Sequence, residues 1–360
     1  MSTNQPVTES GIDTESHLRG TLRELRYSPT AIAGAIMIAI LVVLAIFSTI
    51  DIVIFNRHII TALLADPHEP DILHTNAAPS VAHPMGTDNL GRDILARIIY
   101  GSRIALAIGV ISVGISFLGG IACGATAAYF GGRIDDLIMR LLEVLYSIPG
   151  LILAMTLMAI MGPSVYNLFL AYGVIGIPAY ARVMRSEVLS LREEEYVEAA
   201  RAAGLPTRTI LFREIVPNGL AAVLVQATLS MGGVIIGAAA LSFLGFGVQP
   251  PTASWGRMLS DSRQAMIIAP WITIFPGLMI FLTVMGFNML GDGLRDAMDP
   301  KTTLWKADWD ELGDDFLPTE TSRDEPEPIT ENPATDGGTE TEKWEELADD
   351  SGTETDGGKR

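Results

Sequence analysis

Long apolar stretches separated by short polar segments constrain the fold of this chain more than any other feature. Six of them lie at residues 30–50, 104–130, 142–161, 167–181, 219–247 and 270–290. An α-helix of about 20 apolar residues crosses the hydrocarbon core of a bilayer. Backbone amides cannot stay unpaired in lipid, so such stretches must be helical. The sequence therefore predicts an all-α, polytopic membrane protein with six transmembrane helices.

The net charge of −18 is concentrated at the C-terminus, where residues 307–360 hold 19 acidic and 4 basic side chains. A segment with so little apolar surface cannot offset the entropy lost on ordering. We therefore expect three parts: a cytoplasmic N-terminal segment (1–29), a membrane domain (30–300), and an acidic, disordered cytoplasmic tail (301–360). Within the membrane domain, the first span and an outer loop (30–101) precede a core (102–300). Only 4 of the 24 basic residues are lysine, which together with the acidic tail indicates a salt-adapted prokaryote.

The basic residues predict the orientation of the chain. If the N-terminus is inside, the inner segments 1–29, 131–141, 182–217 and 293–306 hold 14 Lys or Arg, and the outer segments 51–102, 162–166 and 248–269 hold 5. The positive-inside rule then places both termini and residues 182–217 in the cytoplasm. We expect no cleavable signal peptide, because the first apolar stretch is long enough to span and is preceded by polar residues.

Residues 190–218 form a charged, helix-prone segment between the fourth and fifth apolar stretches. Ser190 and Glu193 have the spacing of a capping box, which predicts a helix start. A narrow stripe of mostly small side chains then follows at helical spacing: Tyr196, Ala199, Ala200 and Ala203. Gly204 suits the left-handed residue just past a helix end, and Pro206 can begin another helix. The pattern predicts a helix, a glycine elbow and a second helix.

The second part of this segment is a short amphipathic stretch. Its apolar residues are Ile210, Leu211 and Ile215, and Pro217 is expected to close it. Segment 190–218 is too polar to cross a bilayer. We therefore expect it to lie at a membrane face, with its small-residue side open to a partner.

The spacing of Glu198-Ala199-Ala200, Gly204 and Pro217 resembles the EAA loop of ATP-binding-cassette (ABC) importer permeases. In that family the loop is the coupling element that docks into a cleft on the cytoplasmic ATPase subunit. Two further segments, residues 83–106 and 288–300, resemble parts of the dipeptide/oligopeptide branch of these permeases. One departure is Glu214, which stands where the general pattern has an aliphatic residue.

The resemblance implies the permease subunit of a binding-protein-dependent ABC importer that moves peptides or related small solutes by alternating access. It implies as partners a second permease, two ATP-binding subunits and an extracytoplasmic solute-binding protein, together with the lipid bilayer and with no nucleic acid. Members of this branch also move metal complexes, sugars and other solutes, so the substrate stays open.

The resemblance also implies roles for individual residues of the segment. Glu198 would make a polar contact at the ATPase cleft, and Ala199 and Ala200 would permit close approach. Gly204 would form the elbow, and Pro217 would fix the entry to the fifth span.

The chain itself is expected to be neither an enzyme nor a cofactor protein. The cluster Gly245-Phe246-Gly247 lacks the Lys-Ser/Thr pair of a phosphate-binding loop, so ATP is expected to bind to partner subunits. The spacing of His58, His68, His74 and His83 matches no compact set of metal ligands.

Three prolines lie inside predicted spans: Pro149, Pro178 and Pro276. Each removes a backbone donor and can kink its helix at a gate or substrate path, although kinks are common in helical bundles. Two other functions stay open from the residues alone. One is a secondary carrier or channel without an ATPase, which the lack of charged residues in mid-span disfavours. The other is a membrane scaffold whose acidic tail recruits partners.

Overall fold

The computed structural model describes residue 25 and residues 28–298, except 56, 65, 66 and 68. The predicted N-terminal segment and acidic tail therefore lie almost wholly outside the described residues. Within them, an isolated bridge between Thr87 and Asp93 accompanies a structure that is otherwise built from helices and turns. The predicted all-α fold is confirmed for this part of the chain.

The helices follow one another along the chain, with a connection of 29 residues (65–93) between α2 and α3. They are α1 (Pro29–Val53), α2 (His58–Leu64), α3 (Ile94–Phe130), α4 (Gly132–Ser147), α5 (Gly150–Met161), α6 (Val165–Leu191), α7 (Glu195–Ala202), α8 (Thr207–Thr209), α9 (Val216–Phe243), α10 (Trp255–Asp261) and α11 (Trp271–Met298). A 3-10 turn covers Ile72–His74, and a π-helical turn, Ile210–Ile215, joins α8 to α9.

Among the described residues, five helices are long and apolar enough to span a bilayer: α1, α3, α6, the continuous helix Thr207–Phe243 and α11. The pair α4 and α5 passes the same test only together, and it is bent by 89°. The predicted third span, 142–161, is therefore a broken helix. The structure agrees with six spans when this bent pair counts as one.

Helices α3 and α6 are longer than the apolar stretches predicted as spans. Helix α3 begins at Ile94 rather than near residue 104, and Asp93 caps this start by accepting a 2.8 Å hydrogen bond from the amide of Ala96. Helix α6 continues beyond the predicted end at 181 to Leu191, because Met184 and Val188 are buried in the helix bundle.

Helices α3 and α6 lie against each other at the centre of the bundle. A Cβ atom added at Gly120 would lie 2.2 Å from Cβ of Tyr180, and one at Gly124 would lie 2.3 Å from the carbonyl oxygen of Ala181. The hydroxyl of Ser116 donates a 2.7 Å hydrogen bond to the carbonyl of Gly173 across the same contact. Small residues thus allow two backbones to approach closely, as in other membrane helix pairs.

Candidate functional site

Segment 190–218 has one face buried against the helix bundle. Val197, Ile210, Leu211 and Ile215 are at most 3% exposed. They form one apolar cluster with residues of three long helices: Ala128 of α3, Met184 and Val188 of α6, and Val223 of α9. The segment therefore contacts three long helices at once.

The other face of the segment is exposed. Glu198, Ala199, Gly204 and Pro217 lie on it, while Ala200 is half-buried. The predicted small-residue stripe is wrong as a single exposed face. Val197 is the residue of α7 that points into the core, so the helix is rotated and Tyr196 and Ala200 pack at the edge of the apolar cluster.

The predicted capping box at the start of the segment is also wrong. Ser190 lies inside α6, and the next helix begins at Glu195 with no side-chain cap from Glu194. Arg192 follows the end of α6 and donates a 3.3 Å hydrogen bond to the carbonyl of Ala128, near the end of α3. The first turn of the segment is therefore tied to α3 instead of starting a new helix.

The left-handed conformation predicted for Gly204 is confirmed, with φ of +76°. Its amide donates to the carbonyl of Arg201 at 3.0 Å, and the amide of Leu205 donates to the carbonyl of Ala200 at 3.2 Å. These two bonds are those of a Schellman motif, which satisfies the last carbonyls of a helix. No other atom lies within 4 Å of the position that a Cβ of Gly204 would take. Backbone conformation, not space, is what requires glycine here.

Pro217 does not close the second helix as predicted. It lies in the first turn of α9, and the chain passes from α8 through the π-helical turn into α9 as one helix. A proline cannot donate to the preceding turn and its ring crowds that turn. The wider π turn immediately before Pro217 accommodates both effects. Nearby, the Asn218 side chain donates a 2.6 Å hydrogen bond to the carbonyl of Glu214.

Two exposed apolar residues of the segment were missed from the sequence. Leu205 is 42% exposed and Phe212 is 64% exposed, beside the buried residues Leu211 and Ile210. The exposure of Phe212 was predictable from helical geometry, because a helix that buries residues 210, 211 and 215 turns residue 212 outward. The exposed face of the segment therefore combines apolar side chains with the charges of Glu198 and exposed arginines.

Comparison with known proteins identifies the family. A family model described as the binding-protein-dependent transport system inner membrane component matches residues 120–304, which include all of segment 190–218. The dipeptide transport system permease protein DppC of Alkalihalophilus pseudofirmus is 42% identical over 298 residues, covering 83% of this chain and 94% of that protein. The chain belongs to this family. It is the membrane permease subunit of an ABC importer.

Two permeases of glutathione transport systems agree with this assignment. The glutathione transport system permease protein GsiD of Pectobacterium atrosepticum is 48% identical to the permease over 226 residues, covering 63% of this chain and 75% of that protein. GsiD of an Escherichia coli strain is 42% identical over 279 residues, covering 78% of this chain and 89% of that protein. Among solved structures, an inward-facing MetNI methionine ABC transporter matches with a TM-score of 0.46 and 16% identity, covering 56% of this chain and 97% of that chain.

The three prolines predicted to kink spans of the permease occupy different positions. Pro149 lies between α4 and α5, at the 89° bend, and not inside a helix. Pro178 and Pro276 are buried inside α6 and α11, which continue through them. Only Pro149 coincides with a break in a helix.

The end of the permease opposite to segment 190–218 is held by buried charges. Asp88 and Arg92 form an ion pair at 2.8 Å, and Arg92 lies 3.7 Å from Asp261 of α10. The indole nitrogen of Trp255 donates a 3.1 Å hydrogen bond to the carbonyl of Ile98 in α3. These contacts fix α10 against the start of α3.

Two histidines at this end pair with carboxylates. The imidazole of His74 lies 2.7 Å from Asp71 and that of His83 lies 2.9 Å from Asp93. The hydrogen bond with His74 lowers the pKa of the Asp71 carboxyl. Within the described part of the chain, no three His, Cys, Asp or Glu side chains are grouped so that they could hold a metal ion.

Proposed function

We propose that the permease moves peptides or closely related small solutes by alternating access, and that the exposed face of segment 190–218 docks into the ATPase subunit. The observation that carries the docking proposal is the division of this segment into two faces. Val197 and Ile215 anchor it in the bundle, while Glu198 and Ala199 are open to a partner. The substrate class follows from the relatives, which are named for dipeptide and glutathione transport.

The buried contacts supply a route from the ATPase to the transport path. The apolar cluster under the segment includes residues of α3, α6 and α9, so a displacement of the segment acts on three long helices together. Protein interiors are close-packed, resist compression and transmit strain. Closure of the ATPase pair would therefore rock these helices, and Pro178 and Pro276 mark positions where α6 and α11 can bend at a gate.

Individual residues take the following roles in this proposal. Glu198 makes a polar contact in the ATPase cleft, and Ala199 leaves room for close approach, with Ala200 at the edge. Gly204 forms the elbow that sets the angle between α7 and the following helix. Pro217 sets the start of α9, directly after the π-helical turn.

The remaining partners follow from the importer architecture. We propose a second, related permease, two ATP-binding subunits that bind all the ATP, and a solute-binding protein on the extracytoplasmic side, so the chain itself catalyses no reaction. Both termini lie in the cytoplasm, as the excess of basic residues in the inner segments supports. The acidic tail and the scarcity of lysine support a salt-adapted prokaryotic host. Membership in the family favours the importer over the secondary carrier and the scaffold.

Affinity purification of the tagged permease from gently solubilised membranes tests this proposal. We expect an ATPase to co-purify with the wild type and to be lost with Gly204→Asp, while both proteins insert in the membrane. Gly245→Asp is the matched control, because Gly245 is also left-handed with no atom within 4 Å of its Cβ position, at the opposite end of α9. Equal retention of the ATPase by all three proteins would contradict docking through this segment. Absence of any ATPase from intact wild-type preparations would contradict the importer assembly.

A further inference from the structure

Helix α4 presents three different faces. One packs on the bundle through Leu142, which is buried. The second is exposed and apolar, and its side chains are between 40% and 65% exposed: Ile134, Leu137, Leu141, Val144 and Ile148, the last just beyond the helix end. The third is exposed and polar: Arg133, Asp136, Arg140, Glu143 and Ser147. At 3.6 residues per turn, the centres of the two exposed faces lie about 100° apart around the helix axis.

Contacts with α6 show that α4 crosses that helix at a wide angle. Asp135, near the start of α4, accepts two hydrogen bonds from Arg185 at 2.7 and 2.6 Å. Tyr146, near its end, lies under the guanidinium of Arg182 at 3.7 Å. The two contacts are about 16 Å apart along α4 but only about 4.5 Å apart along α6. Both therefore lie at one level of α6, close to its C-terminal end.

Helix α5, in contrast, runs antiparallel to α6. Its first residue, Gly150, faces Ile175, and the side chain of Asn167 donates a 2.9 Å hydrogen bond to the carbonyl of Met161 at its other end. Helix α6 is one of the long apolar helices that cross the bilayer, so α5 also lies along the membrane normal. The 89° bend then turns α4 into the plane of the membrane.

We propose that α4 is an interfacial helix, lying in the surface of the leaflet on the side of segment 190–218 with its apolar face among the lipid acyl chains. Three observations support this orientation. The helix is perpendicular to α5, it lies at the level of Arg182 and Arg185, and it separates apolar from charged side chains on its exposed surface. A strongly amphipathic helix of this kind is stable at the boundary between head groups and acyl chains.

The length of α5 supports the same arrangement. Its 12 residues extend about 18 Å, which is less than the roughly 30 Å of a hydrocarbon core. If α4 continued α5 straight across the bilayer, residues 142–161 would already cover about 30 Å, and the exposed side chains of Ile134 and Leu137 would project into water beyond the hydrocarbon core. With α4 in the interface, these apolar side chains leave water while Arg140 and Glu143 still reach it. Helix α6 crosses the bilayer, so lipid is available to the apolar face of α4 at this level.

Spin-label accessibility measurements on the assembled importer in lipid nanodiscs test this inference. Single cysteines are placed at successive positions from 133 to 148 in a Cys123→Ala permease with cysteine-free partner subunits. Oxygen reports lipid exposure, and a water-soluble nickel chelate reports aqueous exposure. We expect oxygen accessibility to be greatest at positions 137, 141 and 144, all at nearly one depth. The nickel chelate should reach positions 136, 140 and 143 best.

Two results would overturn the inference. A depth that changes steadily along α4, by up to about 1.5 Å per residue, would make it part of a membrane span. Exclusion of both reagents from positions 137, 141 and 144 would mean that a protein subunit covers the apolar face. Leu142→Cys supplies the control for a position shielded by the bundle, and Ile160→Cys, on the exposed side of α5, supplies a lipid-exposed reference. None of these readouts depends on transport or on ATPase docking.

Discussion

Replacement of Gly204 by alanine isolates the contribution of the glycine elbow to ATPase docking. The added methyl group meets no atom within 4 Å, so the substitution acts only through the backbone. An L-residue other than glycine in the left-handed region costs roughly 1–2 kcal/mol. We expect the population of the docking-competent elbow conformation, and with it the affinity for the ATPase, to fall by about 5- to 30-fold. Asparagine tolerates this conformation better, so Gly204→Asn should lose less affinity than Gly204→Ala.

Gly245 provides a closely matched control for this prediction. Its φ is +93°, its Cβ position is also free of neighbours, and it ends α9 with the same pair of Schellman hydrogen bonds. Gly245→Ala should therefore carry a similar backbone cost at the opposite end of the span. The assay is a titration of purified ATPase onto immobilised permease in nanodiscs. Equal affinities for the Gly204→Ala and Gly245→Ala proteins would refute a docking role for the elbow.

Three further predictions follow from the same contacts. Phe212→Ala should weaken ATPase binding by about 2 kcal/mol, roughly 30-fold, if the exposed ring is buried on docking, whereas Phe130→Ala should not change the titration. Gly120→Ala should lower the thermal unfolding temperature because its Cβ would overlap Tyr180, whereas Gly114→Ala, with no atom within 4 Å, should not. Asp135→Asn should lower the stability of the permease by at most about 1 kcal/mol in the same thermal assay, because the ion pair of Asp135 with Arg185 is partly exposed. This loss of stability should still be larger than that in Asp136→Asn.

Local chemistry made several features predictable. Gly204 is left-handed because this conformation satisfies the last carbonyls of α7, and that requirement is visible in a few neighbouring residues. The apolar stretches predicted the membrane helices for a similar reason, since lipid leaves the backbone few alternatives. Family membership was predictable from Glu198, Gly204 and Pro217 because their spacing is a property of the sequence alone.

Features set by packing were not predictable from local pattern. Ser190 fits a capping box, but burial of Val188 keeps it inside α6. The rotation of α7 depends on which residue meets the bundle, and that residue is Val197 instead of the alanines. Pro149 was expected inside a helix, yet the chain breaks there because α5 packs along α6 while α4 crosses it. In each case a long-range contact overrides a short-range preference.

Site-directed cross-linking from the exposed face of segment 190–218 tests the central claim most directly. Ala199→Cys in a Cys123→Ala permease, labelled with a thiol-reactive benzophenone and irradiated in the assembled importer, should give one major cross-linked product that contains the ATPase subunit. Val81→Cys, fully exposed at the opposite end of the molecule, should give none with the ATPase. An Ala199→Cys protein that is fully labelled by monofunctional reagents in the complex, but never cross-links to the ATPase, would contradict the account.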